Sequence, residues 1–383
     1  MLSINNSSWP TKQQELLFKA SLLQGGEAIK AWETWVNQND IENLDYGSQR
    51  LLPLLFKNIS TQGVDDPVFS KIKGVHRHSW YKNQILFAKI LPVIQQLNSV
   101  GIQTLALKGA ALAIQYYDDF GLRPMDDFDI LVRNDQAEDA IQYLQDWGWR
   151  LQHGNDEILR HHLKTRHASA FVDNDGHELD LHWHLLIDDL ESNANKDFWD
   201  AAEELSFKQQ KIRIPNPTDL LLQIILHGNI WEINPPIRWV PDAFMVLNSS
   251  RKIDWQRLLV QAKKRKQVLR LREALIYLVD ILGVKIPSDF WAEISEARIS
   301  IFERRELRVQ TSSRGWAGHF PKYWFRYCRN HRIVSKWPYP IGFVQYLQND
   351  LGFNSLFGVI GYGLKRRLFW LKRKIFRRNN ANF

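Results

Sequence analysis

Cysteine is nearly absent: Cys328 is the only one in 383 residues. Intramolecular disulfides are therefore excluded, as are structural zinc sites built from several thiolates, and a reducing, cytoplasmic location is expected. No uncharged apolar run reaches the ~20 residues that a membrane-spanning helix needs. The nearest candidate, Leu356 to Leu364, is short and holds three glycines. The opening Met1-Leu-Ser-Ile-Asn-Asn-Ser-Ser has neither a basic region nor an apolar core, so no secretory signal is expected. Acidic residues are missing after Asp350, where eight basic ones follow: Lys365, Arg366, Arg367, Lys372, Arg373, Lys374, Arg377 and Arg378. That number equals the whole formal charge of +8, so residues 1–350 balance to zero. Nucleic acid is the less expected partner, because the body lacks the basic face that such enzymes carry.

What is present is apolar residues and large aromatics: hydrophobic content is 44%, with sixteen Trp and twenty Phe. The length allows two or three domains, with large packed helical interfaces. From Thr11 to about Val100 apolar residues recur at helical spacing, and Val68 to Asn98 reads as one or two helices. The pattern then changes. Gln103 to Leu107 reads as a short buried strand, followed by Lys108-Gly109 and an Ala-rich helix to about Tyr117. Phe128 to Val132 is a second strand, and Asn134 or Asp135 can cap the helix after it. Thr165–Val172 and His177–Trp183 alternate apolar and polar around Asp173-Asn-Asp-Gly176, a hairpin turn signal. Lys211–Ile214 is a further short strand. Helices are expected over Thr218–Trp231, Arg238–Leu247, Asp254–Lys264 and Leu269–Leu282, while Arg304 to Trp337 shows no clean period. The expected division is 1–100 helical, 101–214 α/β, 215–350 helical and 351–383 a basic tail.

The chemistry concentrates in Arg123-Pro-Met-Asp-Asp-Phe-Asp-Ile-Leu-Val132. Asp127 and Asp129 are two residues apart, and a strand puts such residues on one face. Two like charges held there call for a cation between them, and oxygen-only ligands suit Mg²⁺ or Mn²⁺. Phe128, Ile130 and Val132 alternate with the acids as a half-buried strand does and a solvated loop does not. Asp126 is then a turn residue or one that supports the two acids from behind. Lys108-Gly109 stands where a strand passes into a helix, a place whose free N–H groups attract phosphate and where Gly permits close approach.

Leu107-Lys-Gly109, Tyr117, Arg123, Met125, Asp127-Phe-Asp-Ile-Leu-Val132 and Leu179-Asp-Leu-His-Trp183 together resemble the uncharacterised nucleotidyltransferase family of the DNA polymerase β-like superfamily. The resemblance covers about Gln103 to Leu185 and, more loosely, the helices after it. It implies an α+β fold: a small mixed-sheet nucleotidyltransferase domain flanked by N-terminal and C-terminal helical regions. It also implies an enzyme that moves a nucleoside monophosphate from an NTP to an acceptor. Asp127, Asp129 and Asp180 would be catalytic and hold metal, with Asp180 able to act as base near the attacking hydroxyl. Lys108, Gly109 and Arg123 would bind the nucleotide, although Arg123 could instead simply neutralise the acidic turn. The chain departs from the superfamily pattern at Ala110, where Ser or Gly normally follows the turn Gly, so a hydroxyl contact to phosphate is lost.

Two further residues are candidates for the acceptor side. His182 shares a strand face with Asp180, and with His184 could instead make a transition-metal site. Asp242 lies in Trp239-Val-Pro-Asp242, part of the helical region that closes over nucleotide or acceptor in such proteins, or is simply an acid at a helix start. Residues 364–378 read as a basic amphipathic helix, suited to an anionic membrane surface or to packing by its apolar edge, with RNA backbone as a third choice. A different class of protein, a catalytically silent nucleotide-binding or membrane-associated adaptor, stands beside the enzyme.

Overall fold

The computed structural model of the chain describes residues 9–229, 237–311, 320–353, 355 and 357–365. At its centre is a five-stranded mixed sheet with strands β1 (Thr104–Ala106), β2 (Asp127–Val132), β3 (Arg150–Leu151), β4 (Ala168–Val172) and β5 (Glu178–His182), in the order β1-β2-β5-β4-β3. β2 and β5 run parallel; the other pairs are antiparallel. The architecture is α+β, with helical regions on both sides in sequence, as expected. The hairpin at Asp173–Gly176 forms where its turn residues place it, with Gly176 at φ 85°.

The sheet has two unlike faces, because side chains alternate along each strand. On one face Phe128 and Ile130 stand opposite Leu179 and Leu181, all fully buried. A single long helix, Phe69–Ser99, covers this face through Leu86, Phe87, Ile90 and Ile94, and Phe87 meets Phe128 edge-to-face at 5.6 Å. The other face carries Asp127, Asp129 and Leu131 on β2 and Glu178, Asp180 and His182 on β5.

The long helix also anchors the loop leading into β2. Asn83, fully buried, donates through Nδ2 to Phe120 O at 2.6 Å and Arg123 O at 2.8 Å, and accepts from Met125 N at 3.1 Å. Asn83→Ala leaves three buried backbone groups without a partner, so a loss of about 3 kcal/mol is expected in urea unfolding.

A separate two-stranded ribbon, β6 (Glu203–Phe207) and β7 (Gln210–Ile214), packs Phe207 on Phe87 at 5.2 Å. Of the two, only β7 is legible in the sequence. The ribbon turns through Lys208 and Gln209 at φ 46° and 66°, a conformation that Asn-Gly would have signalled and Lys-Gln does not. The helices Pro217–Gly228, Trp239–Leu247, Trp255–Lys264 and Val268–Leu282 fall within a few residues of expectation. One hydrophobic core joins the N-terminal helices, the sheet and the following helices as far as Ile294.

Beyond it, Ile301–Thr311, Phe320–Val334 and Ile341–Leu351 are helices, the first two largely within Arg304–Trp337, where no clean period was legible. They bury aromatic and paired charged residues instead of an aliphatic stripe: Tyr327 and Tyr346 form a second core, and Arg329 Nε donates to Glu306 at 2.6 Å. The helix Asp156–Thr165, also unforeseen, meets this region, with Arg166 Nε 3.0 Å from Asp350. Its His162 is buried 3.2 Å from Ser169 Oγ, and burial, then the Arg166 charge, push its pKa from 6.5 to about 4. The unfolded chain therefore takes up this proton first. Stability from this group is complete above pH 6.5 and falls as pH drops toward 4, by about 2 kcal/mol at pH 5. His162→Gln should remove that share of the acid limb in urea titrations. Among the described residues, no helix is long and apolar enough to cross a membrane. Of the basic segment 364–378, all but Leu364 and Lys365 lie outside the described residues.

Candidate active site

The parallel register puts Asp129 directly beside Asp180, and Asp127 beside Glu178. Asp129 is buried and its Oδ1 receives two contacts: Lys108 Nζ at 2.6 Å and His182 Nε2 at 2.9 Å. Ligand atoms of Asp129, Asp180 and His182 all lie within 4.8 Å of one another. Asp127 shares their face and lines the same pocket as Asp129. The opposing positions on β4, Ala168 and Ala170, are small and leave the acids room.

The electrostatics show what this cluster lacks. Burial raises the Asp180 pKa to about 7, with Asp129 and then Asp127 adding repulsion. Burial and then Asp129 also raise Asp127. Burial would raise Asp129 too, but Lys108 and His182 outweigh it and hold its pKa below the usual range. One ammonium thus serves a face with three aspartates. Lys108 does so from a left-handed backbone, φ 40°, which is costly for a residue with a Cβ and is a mark of functional sites. Asp129 and Asp180 converge with His182 on a point short of positive charge, Asp127 shares their face, and the donors are mainly oxygen. They therefore fit Mg²⁺ or Mn²⁺.

Gly109 is the second residue of the helix Lys108–Gln115, and a Cβ there would stand 2.5 Å from Arg123 Nη1. Its smallness is thus needed for the Arg123 guanidinium as well as for any phosphate. Arg123 does not extend freely into the pocket. Its Nε and Nη2 each donate to Asp242 at 2.8 Å, and Tyr117 Oη donates to the same carboxylate at 2.8 Å. The sequence placed Arg123 on the nucleotide and Asp242 on the acceptor; the structure joins them in one buried pair. His182, an acceptor candidate from the sequence, contacts Asp129, and its Nδ1 has no partner. Asp126 faces away, held by Tyr46, by Arg50 Nη1 at 2.7 Å and by Lys82 Nζ at 3.4 Å, which is the turn role expected of it.

A pocket of about 110 Å³ opens over Asp127 and Asp129, and Gln223, His227 and Arg238 line it together with Lys108. Neither Gln223 nor Arg238 is among the candidates named from the sequence. Gln223 and His227 are polar residues four apart in a helix that is otherwise apolar after Asp219, so they share a face, and that spacing is a legible signal. Gln223 is buried with neither amide atom partnered. Arg238 donates to Pro124 O at 2.5 Å and has no ion pair among the described residues. Burial, then the nearby Arg123 and Arg50, lower its pKa to about 9.

A sheet with acids on adjacent parallel strands, facing a pocket lined by cations, is the arrangement that the resemblance implies for nucleotidyltransferases. The model of the family described as "uncharacterised nucleotidyltransferase" matches residues 47–283, and the chain belongs to that family. Among solved structures, an antigenic nucleotidyltransferase-like protein from Paracoccidioides brasiliensis is similar at 14% identity and a TM-score of 0.36, covering 56% of this chain and 94% of that one. No curated protein matches the chain.

Proposed function

We propose that the protein transfers a nucleoside monophosphate from an NTP to an acceptor hydroxyl or similar group, with pyrophosphate released. The observation that carries this reading is the register of Asp129 beside Asp180, with a buried ammonium already drawn onto Asp129. Asp127, Asp129 and Asp180 would hold Mg²⁺ or Mn²⁺, which supplies charge for the α-phosphate and the leaving pyrophosphate. Lys108, released from Asp129, and Arg238, which has no ion pair among the described residues, would hold phosphate oxygens. Gln223 offers an unused amide for a polar edge of the nucleotide. The acceptor oxygen attacks the α-phosphorus, the bond to the β-phosphate oxygen breaks, and the acceptor proton passes to Asp180 or to water. His182 keeps Asp129 oriented. The single cysteine fits a reducing, cytoplasmic setting, and the 364–378 segment would add contact with an anionic membrane surface.

Incubation with each labelled NTP and Mg²⁺ or Mn²⁺, followed by mass spectrometry of protein and small-molecule extracts, tests this. Pyrophosphate release with a new nucleotidylated product is the expected result. Metal-dependent NTP binding without transfer to any acceptor would instead favour the silent adaptor, a reading to which Ala110 and the Lys108–Asp129 contact lend support.

A further inference from the structure

Arg270, on the helix Val268–Leu282, is 2% exposed. Its Nη1 donates to Leu226 O at 3.0 Å, while Nε and Nη2 are buried with no partner. Those two nitrogens form the guanidinium edge that grips a carboxylate with two parallel bonds. The protein uses the same edge elsewhere. Arg123 applies it to Asp242, Arg257 to Asp219 at 2.9 and 2.7 Å, and Arg329 to Glu306. In Arg270 the edge is built and no acid fills it. Among the described residues the nearest carboxylate, Asp188, is 4.0 Å from Nη1, the nitrogen that already serves Leu226, and receives a long hydrogen bond from Gln267 at 3.5 Å. It offsets charge without satisfying the edge. Buried donors are seldom left unmade.

Arg270 lines a pocket of about 30 Å³ with His167, His227 and Asp188. That is room for about two water-sized atoms, which matches the two oxygens of a carboxylate better than the four of a phosphate. The pocket borders two others. It shares His227 with the pocket over the aspartates, and it shares Leu186, Asp188 and Gln267 with a cavity of about 620 Å³ that reaches Phe302 and Tyr339.

We propose that Arg270 anchors the second substrate by a carboxylate, with the body of that molecule in the larger cavity and its attacking group directed past His227 toward Asp129 and Asp180. The carboxylate is a handle and does not react. The acceptor role rests on the nucleotidyl-transfer reading; the binding of a carboxylate does not.

The test uses the full chain without NTP or metal. Thermal unfolding is followed in sodium acetate, sodium phosphate and sodium chloride at equal pH and ionic strength. Acetate should raise the midpoint in a saturable way by about 1–2 °C over chloride, and phosphate should do no better. Arg270→Lys keeps the charge and loses the fork, so the acetate response should vanish while the protein stays folded. Arg270→Met, which removes a buried cation, should also fold and also lose the response. An equal acetate response in wild type and both variants overturns the proposal, as does a larger response to phosphate, or none to either anion. A protein that transfers no nucleotide yet binds acetate through Arg270 would sink the transferase reading and leave this one standing. If an acceptor is found, Arg270→Lys should raise its KM about tenfold or more and leave NTP binding unchanged.

Discussion

Asp129→Asn is expected to lower nucleotidyl transfer about a thousandfold or more, equivalent to about 4 kcal/mol of transition-state stabilisation, while the protein remains folded. The two effects separate because of what surrounds this side chain. Asn keeps the shape of Asp and a carbonyl oxygen for the Lys108 ammonium now 2.6 Å away. The lost negative charge weakens one buried pairing, but it also relieves the repulsion that raises Asp127 and Asp180. Metal binding has no such compensation, since the shared ligand on which the cluster converges becomes neutral. Asp126→Asn is the control. It lies one residue from Asp127 and three from Asp129, yet its partners are Tyr46, Arg50 and Lys82 outside the pocket, so transfer should change by less than about fivefold. Rates of pyrophosphate release, with circular dichroism and urea unfolding beside them, decide the matter. Equal losses in the two variants would mean that the acidic run acts as a general negative patch and that Asp129 is not a metal ligand.

The sheet and its acids were legible because their signal is local. Alternation fixes which face Asp127, Asp129 and Asp180 take, and the hairpin turn at Asp173–Gly176 carries its own chemistry. What the sequence hid is long-range pairing. Arg123 and Asp242 are 119 positions apart, and each alone looks like a ligand-binding residue. Nothing short of the fold shows that each satisfies the other. Asn83 is hidden for the same reason: a polar residue in a long helix reads as solvent-facing until the loop it clamps is in place. Arg238 needed the packing of a later helix over the sheet, whereas Gln223 carried a local signal in its spacing from His227. The C-terminal helices were expected only as part of a helical region, without bounds, since an element that buries Tyr327, Tyr346 and the Glu306–Arg329 pair lacks the aliphatic period by which helices are read.

Asp242→Ala is expected to destabilise the fold by about 3–5 kcal/mol, a large part of the roughly 5–15 kcal/mol that holds a domain together. Arg123 is 7% exposed and Asp242 4%, so removing the carboxylate strands a guanidinium away from water and deprives Tyr117 of its acceptor. Arg123 has no easy way out. Gly109 is packed so closely against Nη1 that even a methyl group would collide, and Arg238 is a second cation nearby, its pKa lowered by burial and then by Arg123. Burial alone would lower the Arg123 pKa; the Asp242 carboxylate outweighs burial and raises it, so losing that carboxylate leaves the burial penalty unopposed. The double variant Arg123→Met/Asp242→Leu removes both charges together and should recover most of the loss, because breaking a buried pair costs far more than replacing it. Urea midpoints for the two single variants and the double variant form a cycle, with a coupling above about 2 kcal/mol expected. If Asp242 instead serves an acceptor from an open position, Asp242→Ala will cost less than about 1 kcal/mol and will act on acceptor KM alone. The bidentate geometry argues for the first outcome: it makes Arg123–Asp242 the strut that joins the loop before β2 to the helix Trp239–Leu247, and so sets the width of the pocket over the aspartates.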